Sequence, residues 1–210
     1  MPELNEYLAT AGNVPTIKVG GVSDHTEIES DGTVSYRGDS TVWDDIASSL
    51  IASRLDSVSG KLQYNYSDNS ITMQNNGTLG TTADTLIFSY QKPHGAKADS
   101  EMRLHIHWEQ VNTNAVVFSG RYRIQALGAT KATTWILFEA TMEDNLFSYT
   151  SGTLNQLTEL IAVDLSSYGI SSLVQFQLAR TDGTIGDISA TFVDAHIERD
   201  NNGSRQEYVK

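Results

Sequence analysis

Short runs rich in Val, Ile, Thr, Phe and Tyr recur along this chain at roughly ten-residue intervals, separated by Gly, Asn and Asp, a spacing that suits strands and leaves little room for long helices. The clearest reversal lies in Thr26–Arg37, where Asp31-Gly32 can take the positive φ angles of a two-residue turn between two alternating arms. A second hairpin is predicted from Lys61–Tyr66 and Ser70–Gln74 around Ser67, Asp68 and Asn69. Further strands are expected over Thr85–Tyr90, Met102–Gln110, Ala115–Leu127, Thr134–Glu143, Glu159–Leu165, Leu173–Ala179 and Ile188–Glu198. About ten strands suffice for two packed sheets, so the fold class is all-β and antiparallel, a β-sandwich.

Alternation assigns faces, because successive side chains of a strand point to opposite sides. Met102, Leu104, Ile106 and Trp108 share one side and should enter the core, leaving Arg103, His105 and His107 on the other. Val117, Ser119, Arg121 and Arg123 separate in the same way from Phe118, Tyr122 and Ile124. One stretch reads as helical: Asp39–Leu55 opens on capping and acidic residues and places Trp43, Ile46, Leu50 and Ile51 near helical spacing, which predicts one short helix or a tucked connection. Leu4–Thr10 can form a helical turn, within an N-terminal arm set at residues 1–15 and followed by a single domain over 16–210.

Charge and cysteine content narrow the function. Twenty-six acidic against fourteen basic residues give a net charge of −12, spread along the chain, and no Lys/Arg run offers the basic stripe that phosphate backbones require; nucleic acid is not an expected partner. Without cysteine there is no disulfide, thiolate zinc site, iron–sulfur cluster or cysteine nucleophile. No apolar run approaches the roughly eighteen residues of a membrane span, and the opening MPELNEYLATAG lacks the regions of a signal peptide, so no membrane partner and assembly in the cytoplasm are expected. The chain has no Gly-x-Ser-x-Gly elbow, no Gly-x-Gly-x-x-Gly and no P-loop, and no cofactor is assigned.

The sharpest chemical feature is His105-Ile106-His107. On a strand the two imidazoles fall on one side about 7 Å apart, at roughly 3.4 Å of rise per residue. Asp194-Ala-His-Ile-Glu198 alternates too, placing Asp194, His196 and Glu198 together. Were the two strands neighbours, His105, His107 and His196 would converge with a carboxylate as a candidate metal, interface or structural cluster. Among the aromatics, Trp108 and Trp135 lie on apolar phases and should be buried, whereas Tyr64, Tyr66 and Tyr149 stand in polar surroundings as candidate glycan-stacking residues.

Three segments are similar to one family. Asp31-Gly-Thr-Val followed by Gly38-Asp-Ser-Thr-Val-Trp-Asp-Asp-Ile46 resembles the "DGT…GDATVWDDL" signature of tailed-bacteriophage virion structural proteins. Leu104-His-Ile-His-Trp108 resembles their "HVHW" strand, and Asp194–Tyr208 resembles their closing "DFHYEIDTLGSREEY". The chain departs from the pattern at Ala195 and Ile197, where the family carries aromatics, and in the Ser/Ala-rich stretch Ser48–Ser57. The resemblance implies a jelly-roll-like sandwich and a non-enzymatic subunit of a virion, whether capsid decoration, neck, tail or fibre-associated. Its partners would be copies of itself, as a homotrimer, and other virion proteins. Two further functions stand beside this one: a carbohydrate-binding or receptor-recognition module, and, since H-x-H on a β-rich chain also resembles the cupins, a cupin-like metal-dependent enzyme.

Overall fold

The computed structural model describes residues 16–29, 33–48, 54–56, 60–75, 79, 84–111, 115–141, 152–182 and 186–202. Fourteen strands run through them: β1 (Ile17–Gly20), β2 (His25–Ile28), β3 (Val34–Arg37), β4 (Val42–Ser48), β5 (Arg54–Asp56), β6 (Leu62–Asn65), β7 (Ser70–Met73), β8 (Thr85–Gln91), β9 (Glu101–Gln110), β10 (Val117–Gln125), β11 (Ile136–Thr141), β12 (Gly152–Asp164), β13 (Leu173–Arg180) and β14 (Ile188–Arg199). Both expected hairpins pair antiparallel, β2 with β3 and β6 with β7; the Asp31-Gly32 turn lies outside the described residues, as do residues 1–15 with the expected arm.

Two sheets make the body. One is ordered β11-β10-β13-β8-β5 and the other β12-β9-β14-β7-β6, with β4 added alongside β14. From β7 to β14 the chain crosses between them so that β7-β14-β9-β12 and β8-β13-β10-β11 form the two four-stranded halves, the strand order of a jelly roll. Their inner faces supply the core. Met102, Leu104, Ile106 and Trp108 are fully buried, as the alternation requires, and meet Phe88, Tyr90, Phe118 and Phe176 of the opposite sheet. The Trp108 and Phe118 rings contact edge-on with centroids 5.8 Å apart, the indole N–H of Trp108 donates to Thr158, and the Tyr90 hydroxyl donates across to the Val193 carbonyl. A third sheet, β1-β2-β3, is fastened to the end of β14 by backbone bonds from Tyr36 to Asp200 and from Asn202 to Val34.

Two buried cations seal the rims of the core. Lys92 donates to the carbonyls of Ala98, Leu165 and Tyr168, and Arg180 makes a two-point ion pair with Asp182 while also donating to the carbonyls of Met73 and Gly186. Buried charge is costly unless it is paired in this way.

The expected helix over Asp39–Leu55 is replaced by a three-residue 3-10 turn, Gly38–Ser40, then by β4 and β5. The reason is tertiary. The outer edge of β14 beyond β7 needs a partner, and Val42–Ser48 covers it in register from Val42 opposite Arg199 to Ser48 opposite Val193. Pairing of β14's unmet backbone groups outweighs the weak helical spacing of Trp43 and Ile46. Trp135 also departs from expectation: it precedes β11, is half-buried, and lies under Arg121 and Arg123, whose guanidinium carbons sit 4.9 and 4.4 Å from its ring centroid.

Gly120 on β10 lies directly opposite Phe138 of edge strand β11, and a Cβ at this position would collide with the Cζ edge of the Phe138 ring. Gly120→Ala should therefore destabilise the fold by about 1–3 kcal/mol, read as a lower urea midpoint at unchanged slope.

Candidate functional site

The outer face of the β12-β9-β14-β4 region carries a polar cluster directly behind the core. Antiparallel partners share a face, so the register defines it: Glu159 lies opposite His105, His105 opposite Asp194, and His196 opposite Asp45. Period two then separates the sides, with Leu104, Ile106, Val193, Ala195 and Ile197 turned into the core and His105, His107, Asp194 and His196 turned outward.

The sequence-predicted trio His105, His107 and His196 is thus brought onto one face, and Asp194 sits at its centre. His196 Nε2 is 2.8 Å from Asp194 Oδ2 and 3.0 Å from Asp45 Oδ1. Carboxylates only accept, so this nitrogen carries the proton. His107 Nε2 lies 3.4 Å from Asp194 Oδ1, and the side-chain amide of Asn155 is 3.3 Å from His107 Nδ1. The His105 and His196 rings meet edge-on at a centroid distance of 4.3 Å. Arg103 frames the cluster from the side, ion-paired to Glu101 and Glu159 and set over the exposed ring of Trp43.

His105 is the unusual member. It is only 3% exposed, and neither ring nitrogen has a hydrogen-bond partner among the described residues; Nε2 lies 3.6 Å from Glu159 Oε2, at ion-pair range. Burial, reinforced by the neighbouring His196, pushes its pKa below the usual imidazole value, against the pull of Asp194 and Glu159. Asp194 shows the opposite balance: burial opposes its ionisation, but His107, His196 and His105 together hold its pKa below the ordinary carboxylate value.

Glu198 shares that face of β14, as the alternation requires, but lies at the end of the strand, where it accepts from Thr41 and Lys97 apart from the histidines. Asp45 and Glu159 were not expected. Asp45 sits in the segment that reads as helical, and Glu159 becomes relevant only through the pairing of β12 with β9.

The glycan candidates are less well placed. Tyr66 is 80% exposed, but Tyr64 packs against the core with its ring centroid 5.8 Å from that of Tyr66, and Tyr149 lies outside the described residues. An open cleft of about 580 Å³ near this hairpin is lined by Asn65, Asp68, Glu109 and Asp187 among others; a second of similar size lies over Gly120 and Phe138. Neither includes the histidines.

No protein-family model matches the chain, and no curated protein matches it. Among solved structures, a carbohydrate-binding module in complex with β-1,4-galactotriose is similar at 12% identity, covering 75% of this chain and 88% of that one, with a TM-score of 0.29. The architecture rests on the strand pairing described above.

Because its surroundings favour the carboxylate over the acid, Asp194 stabilises the face it occupies. Asp194→Ala should lower unfolding free energy by about 1–3 kcal/mol, measured by chemical denaturation.

Proposed function

We propose that this chain is a non-enzymatic structural subunit of a tailed-phage virion, assembled in the host cytoplasm, that works by associating with copies of itself and with other virion proteins. The observation that carries the reading is the meeting of the three segments that resemble that family. They are separated by long stretches of sequence, yet Val42–Ser48, Glu101–Gln110 and Ile188–Arg199 run side by side as β4, β9 and β14. Their distinctive residues Asp45, His105, His107, Asp194 and His196 form one patch. Three resemblances that lie in the same order along the sequence become a single surface of the folded chain.

Sheet edges support self-association. β11 ends its sheet with Ile136 and Leu137 50% and 71% exposed, and β1 ends the small sheet with Ile17 and Val19 exposed. Edge strands with exposed apolar side chains are a hazard to a lone protomer and are covered in symmetric assemblies. The virion subunit is a homotrimer on this reading, and its scattered negative charge keeps the free chain from indiscriminate association.

Sedimentation velocity of the purified full chain at micromolar concentration tests it. A discrete species of three copies that reverts to protomer in Leu137→Lys, with an unchanged circular-dichroism spectrum, is the expected result. A well-behaved protomer at every concentration would overturn the reading.

A further inference from the structure

Among the described residues, one cluster holds ligand-bearing side chains at metal-binding spacing: one ligand atom from each of His105, Asp194 and His196, all within 4.8 Å of one another. Clusters of this kind arise on many surfaces without any ion, so the argument turns on His105. An imidazole 97% removed from solvent whose two nitrogens both lack a hydrogen-bond partner among the described residues is costly to bury, since each orphaned polar atom forfeits its bonds to water. Sequestered imidazoles normally find a hydrogen-bonding partner or a metal. Asp194 is buried beside it, with Oδ2 2.8 Å from His196 Nε2 and Oδ1 3.4 Å from His107 Nε2.

We propose that His105, Asp194 and His196 form a binding site for a divalent transition-metal ion of the zinc class. The donor set decides the class. Two imidazoles and one carboxylate suit zinc, whereas calcium and magnesium take sites made of oxygen. Donor atoms on one tetrahedral zinc lie about 3.4 Å apart, so a pair at the 4.8 Å limit closes by about 1.4 Å, through rotation of the side-chain torsions. The surroundings fit as well. Glu159 lies 3.6 Å from His105 Nε2 and Asp45 3.0 Å from His196 Nε2, so carboxylates flank both imidazoles, and His107 with Asn155 holds Asp194 from the far side. Ligands drawn from two neighbouring strands would make the ion a clamp across the β9–β14 pair, the centre of the sheet. This site stands independently of the virion reading, since it lies within one chain.

The test uses the full chain without a histidine tag, stripped with chelator and titrated with zinc chloride by calorimetry. One zinc per chain is expected, with a melting temperature raised by about 5–10 °C at a hundredfold excess over Kd. His105→Phe and His196→Asn should each weaken binding by about 100-fold or more, beyond the loss typical of outer-sphere changes. His94→Ala, whose imidazole lies by Ser171 away from the cluster, should bind as the unaltered chain does. His196 is partly exposed, so His196→Asn keeps the test usable if His105→Phe fails to fold. Cobalt(II) added to the unaltered chain should give the strong visible absorption of a four-coordinate site. Absence of saturable zinc binding, equal binding by His196→Asn, or only the pale spectrum of hydrated cobalt would each overturn the proposal.

Discussion

Everything in this fold depends on the backbone pairing of β14. Its twelve residues hydrogen-bond to β9 along one edge and to β7 and then β4 along the other, so one strand ties together segments from both ends of the chain. Loss of that ladder would leave the inner residues Val193, Ala195 and Ile197 without the sheet that presents them to the core. It would also scatter the outward-facing Asp194 and His196. Because side chains alternate strictly, core and polar cluster are two sides of the same constraint, and a one-residue slip in register would exchange them.

The energetics of the two sides differ. The inner side is stabilised by apolar burial, with large side chains such as Trp108, Phe118 and Phe176 almost wholly removed from water. The outer side buries ionisable groups, which is favourable only where partners meet them. Asp194 is met by His196 and His107, whereas neither nitrogen of His105 has a hydrogen-bond partner among the described residues, and this imbalance is what singles out the cluster from ordinary ion pairs such as Lys97–Glu198 or Arg199–Asp44. Those surface pairs contribute little individually, each about 0–1 kcal/mol.

How much was legible beforehand follows from which interactions are local. The strands that read clearly, such as Met102–Gln110 and Leu173–Ala179, carry alternation within a few residues, and the separation of His105 and His107 from Leu104 and Ile106 follows from period two alone. The two hairpins were legible because turn chemistry is local. Strand adjacency is not local, so the convergence of His105 with Asp194 and His196 stood only as a conditional, and Glu159 carried no signal at all. Val42–Ser48 misled for the same reason: its capping residues and the spacing of Trp43 and Ile46 favour a helix, while the unpaired edge of β14 that recruits it lies some 150 residues away in the chain. Trp135 shows the limit of apolar phase, since stacking beneath two arginines satisfies an indole without full burial.

The claim on which the whole account rests is that Val42–Ser48 is the strand beside β14, with Asp45 opposite His196 and Asp194 opposite His105. Nuclear Overhauser contacts between backbone protons of the isotopically labelled chain test it most directly. Cross-strand contacts between Asp45 and His196 and between Asp194 and His105 are predicted, whereas contacts three residues apart within Val42–Ser48, the pattern of a helix, with no contact to β14, would contradict it.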